Sequence, residues 1–266
     1  MDIKNYLNRI KVNRELKPDI DTFRYLHRQH LYNVPFENLD IHSGRKIILE
    51  KEKLLHKVVA ENRGGFCYEL NGAFYELLSS IGFEVRYLSA GVYSKEGVCS
   101  PEYDHMALMV NFDGKEFLAD VGFGDSFIEP LKFVTGEIQK DVREHFLISE
   151  SENKGYFNLK RSTDGVEFNP QYKFSSAGRK LNEFSLMCEY NQISPASHFT
   201  QQVICSKATA SGRISLIDLK LIETRNGIKK QWDISEAEFY SLLKTDFNIE
   251  LSDKLIFPQN KSYPTN

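Results

Sequence analysis

The amino-acid sequence predicts an α+β fold of three successive parts, because its hydrophobic periodicity changes twice along the chain. Up to about residue 83, apolar residues recur at helical spacing. From there to about residue 186 the period falls to two between turn signals, which is typical of short strands in a small barrel or sandwich. The last part mixes strand and helix patterns. We therefore expect three tightly packed units over residues 1–83, 84–186 and 187–266.

Composition and charge exclude several classes of protein. The chain has 266 residues and a net charge of -3, so it has no electrostatic footprint for nucleic acid or an anionic membrane. Its N-terminus lacks a signal-peptide pattern, and no apolar run approaches the ~20 residues that span a bilayer. The 4 cysteines lack CxxC spacing, which disfavours a disulfide scaffold or a zinc site. We expect a cytoplasmic protein without metal; the oligomeric state stays open.

The first part carries three apolar stripes at helical spacing, and a proline-marked connection over residues 34–40 separates the first two. The stripes consist of Phe23, Leu26 and Leu31, of Leu54, Leu55, Val58 and Val59, and of Leu70, Phe74, Leu77, Leu78 and Ile81. His27 and His30 have the spacing of a metal pair, but no nearby carboxylate or cysteine completes a site. We expect both histidines on the surface.

The other two parts contain strand and hairpin signals. In the middle part, strands are expected at residues 85–88, 145–148 and 156–159, with hairpin turns at Asp113-Gly114 and Asp164-Gly165. In the last part, strand-like runs at 214–221 and 228–234 flank an Asn226-Gly227 hairpin signal. Ser235 and Glu238 then form a capping box, which predicts a final helix.

Cys67 is the candidate nucleophile. It follows Gly64-Gly65 and opens the third helical stripe. A thiol at a helix N-terminus faces unpaired backbone N–H groups and the positive end of the dipole, and both favour the reactive thiolate. We therefore expect Cys67 to be an activated thiol, although a lone cysteine is more often a small buried hydrophobe.

The Asp113-Gly114 turn predicts a pair between a histidine and an aspartate. A two-residue turn pairs Phe112 with Lys115, which places Asp120 opposite Ala107. His105 is then a diagonal neighbour of Asp120, at a Cβ separation of about 7 Å, within reach of a hydrogen bond. The opposite face carries a core-forming stripe of Met106, Leu108, Val110, Phe117 and Val121.

Such a pair has a chemical use. An aspartate that binds one imidazole nitrogen fixes the tautomer, so the other nitrogen can take a proton from a thiol. The sequence alone does not bring Cys67 to His105, and a purely structural His–Asp hydrogen bond remains an alternative. The joint occurrence of a cysteine, a histidine and an aspartate favours a cysteine-nucleophile enzyme.

Four segments resemble motifs of the arylamine N-acetyltransferase family. Residues 63–71 resemble its RGG-aromatic-C-x-E-x-N signature, 34–40 its VPFENL motif, 104–106 its D-H segment and 118–124 its DVGFG segment. All four occur in the family's order, whereas the last part of the chain matches only in general character. The resemblance implies a helical bundle, a β-barrel and an α/β lid around a catalytic core similar to that of cysteine proteases.

The resemblance also implies a mechanism and a set of site residues. Cys67 would accept an acetyl group from acetyl-CoA, the cosubstrate, and pass it to an arylamine or arylhydrazine nitrogen. His105 would be the general base and Asp120 the residue that orients it. The other positions carried over are Glu37 and Arg63 as a bidentate structural pair beneath the cysteine loop, Phe36 and Phe123 in the acceptor pocket, and Gly124 and Phe199 at CoA.

Two other functions stay open at this point. A cysteine hydrolase or an amide synthase would use the same three residues and release the acyl group to water or to an intramolecular amine. A catalytically silent binding module would retain only the fold. The physiological acceptor and the preferred acyl donor are not determined by the sequence.

Overall fold

The computed structural model describes residues 3–258. Its helices are α1 (Ile3–Arg9), α2 (Ile20–Asn33), α3 (Leu39–Ser43), α4 (Lys51–Leu55), α5 (Cys67–Ile81), α6 (Ser185–Ile193), α7 (His198–Gln201) and α8 (Glu236–Phe247). Its strands are β1 (Phe36–Glu37), β2 (Glu84–Val92), β3 (His105–Phe112), β4 (Lys115–Ala119), β5 (Leu131–Lys132), β6 (Ile138–Lys140), β7 (His145–Glu150), β8 (Tyr156–Ser162), β9 (Asn169–Arg179), β10 (Ile204–Thr209), β11 (Gly212–Ile217), β12 (Lys220–Arg225) and β13 (Ile228–Asp233).

The N-terminal part is helical, as predicted. Asp19 caps α2 by accepting the Thr22 N–H at 2.7 Å, and α5 ends at Gly82, whose φ of 106° suits a left-handed cap. The predicted stripe over 54–59 is divided between α4 and a π-helical turn at His56–Ala60. The helices pack together with one face of β2, β3 and β4 in a large apolar core.

The expectation that His27 and His30 lie on the surface is wrong, because both side chains are completely buried. They share the inward face of α2 with Phe23 and Leu26, since residues three and four apart lie on the same side of a helix. His27 stacks on Phe127, and His30 packs against aromatic rings of the same core.

Eight antiparallel strands form a barrel-like sheet in the order β5-β4-β3-β2-β9-β8-β7-β6, with its own apolar interior. Side chains connect its two ends, since the Lys132 N–H donates to Gln139 Oε1 at 2.7 Å and Gln139 Nε2 donates back to Lys132 O at 2.8 Å. The predicted hairpin at Asp164-Gly165 is present, since β8 and β9 pair antiparallel on either side of it, but its loop is longer than a two-residue turn. These residues lie in a longer connection between β8 and β9, where Asp164 accepts backbone N–H groups that follow it.

The C-terminal part is a five-stranded sheet in the order β1-β10-β11-β12-β13, with α8 packed against it. The predicted single strand over 214–221 is in fact two strands, because the chain reverses at Asp218, whose φ is 49°. Asp218 holds this turn by accepting the Val203 N–H at 2.9 Å. The predicted Asn226-Gly227 hairpin and the Ser235–Glu238 capping box are both present.

The three parts interlock. Strand β1 comes from the N-terminal part but pairs with β10, and Leu39 lies in the apolar core of the C-terminal sheet. Phe199 conversely belongs to the core of the helical part. The boundaries at 83 and 186 stay a prediction. No helix within residues 3–258 combines the length and the apolar character that crossing a bilayer requires.

Candidate active site

The β3–β4 hairpin brings His105 to Asp120 in the register predicted from its turn. Phe112 pairs with Lys115 and Leu108 with Ala119, and His105 Nε2 donates to Asp120 Oδ2 at 2.7 Å. Both side chains are buried. The opposite face, with Met106, Leu108, Val110, Phe117 and Val121, lies in the helical core as expected.

Three neighbours hold Asp120 in place. Its Oδ1 accepts Asn71 Nδ2 at 3.0 Å and the Gly122 N–H at 2.9 Å, while its own N–H donates to His27 Nε2 at 3.1 Å. Burial opposes the charge of Asp120, but His105 and these hydrogen bonds outweigh burial and lower the pKa of Asp120 below its usual value. The carboxylate therefore stays ionised and fixes the orientation of the imidazole, leaving Nδ1 as the free ring nitrogen.

Cys67 begins α5 and is only 2 % exposed. Its Sγ lies 4.0 Å from the carbonyl oxygen of Asp104, the residue before His105. The segment after β4, which carries Asp120, also reaches the cysteine, because a Cβ on Gly122 would lie 2.7 Å from Cys67 Cα. Only glycine permits this approach.

The expectation that the helix N-terminus lowers the pKa of Cys67 is not met. Burial raises the pKa of the Cys67 thiol well above its ordinary value, against a backbone hydrogen bond at Met106, and the charges of Asp104 and Asp120 add to the rise. Desolvation of a thiolate outweighs the helix dipole at a fully buried position. Burial therefore favours the thiol, and a base that takes its proton would be needed to form the thiolate.

Cys67 and His105 both line a cavity of about 630 Å³ at the meeting point of the three parts. The predicted positions Phe36, Phe123, Gly124 and Phe199 line the same cavity. The Phe36 ring lies against Gly124, at 3.6 Å from where a Cβ would stand, and Phe199 packs between Phe36 and Phe66. The cysteine and the histidine therefore face a space whose inner walls are aromatic.

Glu37 and Arg63 lie behind the cysteine loop, outside this cavity. The predicted bidentate geometry is wrong, because Arg63 Nε and Nη2 converge on one oxygen, Glu37 Oε1, at 3.0 and 2.9 Å. Arg63 Nη2 also reaches Asp40 Oδ1 at 2.8 Å, and Glu37 Oε2 accepts the Leu39 N–H. The pair is part of a larger buried network.

Lys57 and Glu69 complete that network next to the start of α5, where Cys67 lies. Lys57 Nζ lies 2.7 Å from Glu69 Oε1 and 2.9 Å from Asp40 Oδ2, and Glu69 Oε2 accepts the Phe66 N–H at 3.2 Å. Burial raises the pKa of Glu69 to about 7, with Lys57 opposing the rise. The network thus ties the residue before Cys67 to α3 and the π-helical turn.

Sequence reasoning missed several of these supporting residues. The sequence does indicate Asn71, because it lies four positions after Cys67 and therefore on the same face of α5. No feature of the sequence indicates a buried Lys57, since an isolated lysine in a helical pattern is normally a solvated residue. The sequence does indicate a buried His27, because its spacing of four from Phe23 places it on the inward face of α2.

Comparisons with known proteins agree with this fold. A family model described as N-acetyltransferase matches residues 19–256. Human arylamine N-acetyltransferase 1 is 32 % identical over 280 residues, which cover 96 % of this chain and 97 % of that protein. The solved structure of the Mycobacterium smegmatis enzyme matches with a TM-score of 0.87 and 29 % identity over 94 % of this chain and 93 % of that one. The Mycobacterium marinum enzyme in complex with CoA matches with a TM-score of 0.85 and 28 % identity over 93 % of each chain.

The fold and the matched family model define an N-acetyltransferase. More narrowly, the chain belongs to the arylamine N-acetyltransferase family. The predicted fold class and the predicted enzyme class, an acetyl-CoA-dependent N-acyltransferase, are thereby confirmed.

Proposed function

We propose that this protein transfers an acetyl group from acetyl-CoA to the nitrogen of an arylamine or arylhydrazine through a thioester on Cys67. The observation that carries the proposal is the position of Cys67 and His105 on one aromatic-walled cavity, with Asp120 bound to the far nitrogen of the imidazole. Related proteins named arylamine N-acetyltransferase, one of them solved with CoA, support the choice of substrates.

In the first half-reaction the cysteine becomes acetylated. Because Asp120 holds the proton of His105 on Nε2, Nδ1 is free to take the proton from the Cys67 thiol. The thiolate attacks the acetyl carbonyl carbon, a new carbon–sulfur bond forms, and the bond to the CoA sulfur breaks. CoA leaves with the proton returned by His105, so atoms and charge balance.

In the second half-reaction the acceptor nitrogen attacks the thioester. The carbon–nitrogen bond forms, the carbon–sulfur bond to Cys67 breaks, and the proton lost from the nitrogen passes through His105 to the cysteine. A thioester suits a weakly basic aromatic amine, because the amine is neutral at pH 7 and keeps its lone pair. Phe36 and Phe123 would contact its ring, while Gly124 and Phe199 would contact CoA.

The test is intact mass spectrometry after brief incubation with acetyl-CoA and no acceptor. We expect a mass gain of one acetyl group that maps to Cys67 and disappears when an arylamine is added. Cys67→Ser provides the control and should show no adduct, because an alcohol is a far poorer nucleophile than a thiolate.

Two other outcomes would contradict the proposal. Release of CoA without an adduct, in the absence of acceptor, would indicate a hydrolase on the same three residues. Neither adduct nor free CoA would indicate a silent fold or another acyl donor. The cytoplasm is the proposed location, supported by 4 cysteines that are all free.

A further inference from the structure

The cavity that Cys67 lines also has charged residues in its wall. Part of this wall belongs to the sheet of the C-terminal part, where Arg213 on β11 pairs with Thr224 on β12, and Thr224 pairs with Lys229 on β13. All three residues line the cavity, together with Arg161 of β8 and with Asp125, which follows Gly124. A row of cationic side chains therefore faces the same space as Cys67.

Arg213 is held rigidly in this row. Its Nε donates to Asp125 Oδ1 at 3.0 Å and its Nη1 donates to Ser206 Oγ at 2.9 Å. Ser206 is itself fixed by Ser215 at 2.7 Å. The side chain is 13 % exposed, and within residues 3–258 its remaining nitrogen, Nη2, has no hydrogen-bond acceptor. The two N–H groups of Nη2 on this pre-oriented guanidinium are thus available at the cavity.

The charges at this end do not cancel. Asp125 lies between two guanidinium groups, since Arg161 Nη2 also approaches its Oδ2 at 3.3 Å. Arg161 is neutralised mainly by Glu144, at 2.6 Å. Asp125 is therefore the carboxylate that offsets Arg213, and burial lowers the pKa of Arg213 in spite of this partner. With Lys229 on the same wall, positive charge is in excess.

A short path connects Arg213 to the aromatic walls. Phe36 pairs with Ser206 across β1 and β10, and Ser206 holds Arg213 from the neighbouring strand β11. Arg213 lies two strands from Phe36 and two residues along β11 from Ser215, which pairs with Ser206, so strand spacings of about 4.8 Å put the two backbones about 12 Å apart. An aromatic ring beside Phe36 and a substituent at Arg213 can therefore belong to one small molecule.

We propose that Arg213 binds an anionic substituent of the aromatic acceptor, a carboxylate or a sulfonate, and so makes the enzyme prefer negatively charged arylamines. The proposal rests on the function proposed above. The donor Nη2 and the planar fork suit a carboxylate, and a charge-assisted hydrogen bond of this kind is stronger than a neutral one. Arg213 could instead bind a phosphate group of the acyl donor. The experiment distinguishes this possibility from binding of an anionic acceptor.

The experiment compares 4-aminobenzoate with uncharged 4-methylaniline as acceptors, measured as kcat/KM at saturating acetyl-CoA. Arg213→Gln should lower the ratio of the two values, charged over neutral, by about 10- to 100-fold, since a hydrogen bond to a charged group is lost. Asp125→Asn should raise the ratio, because it removes the carboxylate that offsets Arg213. A general loss of folding cannot explain a ratio that falls in Arg213→Gln and rises in Asp125→Asn.

Arg86→Gln is the matched control, because Arg86 pairs with Glu116 away from the cavity, and its ratio should equal that of the wild type. The rate of Cys67 acetylation by acetyl-CoA is measured separately for every variant. Equal losses with both acceptors would overturn the proposal, and so would slow acetylation in Arg213→Gln, which would assign the site to the donor. Failure of the wild type to form the adduct would instead refute the proposed function.

Discussion

At the scale of single residues, the proposed nucleophile and its proposed base have opposing environments. Cys67 is enclosed by apolar neighbours and carboxylates that favour the thiol, whereas the His105–Asp120 pair is arranged to accept a proton. We therefore expect formation of the thiolate to depend on His105 rather than on the helix N-terminus. This dependence can be measured directly.

The first prediction concerns alkylation of Cys67 by iodoacetamide. In the wild type the rate should remain high well below pH 8, because His105 takes the proton. In His105→Gln burial alone governs the thiol, so the rate should rise only above the unperturbed value of about 8.5. Identical pH profiles for the two proteins would contradict the role of His105.

The second prediction concerns Asp120→Asn. Oδ1 of Asp120 accepts two N–H groups, so an asparagine must place its carbonyl oxygen there and turn its NH₂ group toward His105. Nε2 then becomes the acceptor and the imidazole proton moves to Nδ1, which faces away from Asp120. Acetylation by acetyl-CoA should slow by about 10⁴-fold, the loss typical of a wrong tautomer. A variant that folds, by circular dichroism, and retains a tenth of the rate would contradict this.

The third prediction uses the buried His27. Burial lowers its pKa to about 4, so the folded protein keeps it neutral while the unfolded chain protonates it below its ordinary value near 6.5. The stability that this residue provides is therefore complete above pH 6.5 and is lost as the pH falls toward 4. The unfolding free energy lost in His27→Gln should be about 2 kcal/mol smaller at pH 5 than at pH 7.5.

Chemical denaturation at the two pH values provides the measurement. Phe23→Leu is the control, because Phe23 lies on the same face of α2 and does not titrate, so its effect should not change with pH. An equal effect of His27→Gln at both pH values would mean that His27 has the same pKa in the folded protein as in the unfolded chain.

At the scale of secondary-structure elements, the segment after β4 has two tasks. Asp120 binds the imidazole, and two residues later Gly122 passes against the first turn of α5. The hairpin and the helix therefore position each other, and the distance between base and nucleophile depends on a glycine that belongs to neither element.

The fourth prediction is that Gly122→Ala disturbs this contact. The new Cβ would lie 2.7 Å from Cys67 Cα and 3.0 Å from Cys67 O, both backbone atoms that cannot rotate away. We expect a loss of about 1–3 kcal/mol in unfolding free energy and slower acetylation of Cys67. Gly178→Ala is the control, because its nearest neighbour is the flexible Arg86 side chain at 3.3 Å. The measurements are thermal melts and acetylation assays. If Gly122→Ala and Gly178→Ala had equal effects in both, Gly122 would not be the residue that positions the hairpin against α5.

At the scale of the whole molecule, the interlocking of the three parts predicts cooperative unfolding. Strand β1 and Leu39 leave the N-terminal part to complete the C-terminal sheet, and Phe199 returns to the helical core. We therefore expect that neither the helical part nor the C-terminal sheet keeps its core if the other unfolds. The sequence boundaries at 83 and 186 would then separate structural units that do not fold independently.

The fifth prediction tests this cooperativity with Trp232, the single tryptophan, which lies on β13. Its fluorescence reports the C-terminal sheet, whereas far-UV circular dichroism reports the whole chain. In urea the two transitions should coincide. A fluorescence change at lower urea would show that the C-terminal sheet unfolds alone.

The sequence by itself determined the features that depend on local geometry. Turn chemistry at Asp113-Gly114 sets the hairpin register, and that register brings His105 to Asp120 without reference to the rest of the chain. Periodicity likewise predicted α2, α5 and the change to strands near residue 84. The motifs around Cys67 were sufficient to identify the family.

Only the tertiary structure decided what lies between distant segments. Arg213 meets Asp125 across 88 positions of sequence, and the burial that raises the pKa of Cys67 comes from elements remote in the chain. The same holds for Lys57, whose residue type predicts a solvated surface. Burial and charge compensation are properties of the assembled core, because desolvation depends on every neighbour that excludes water and not on the sequence around one residue.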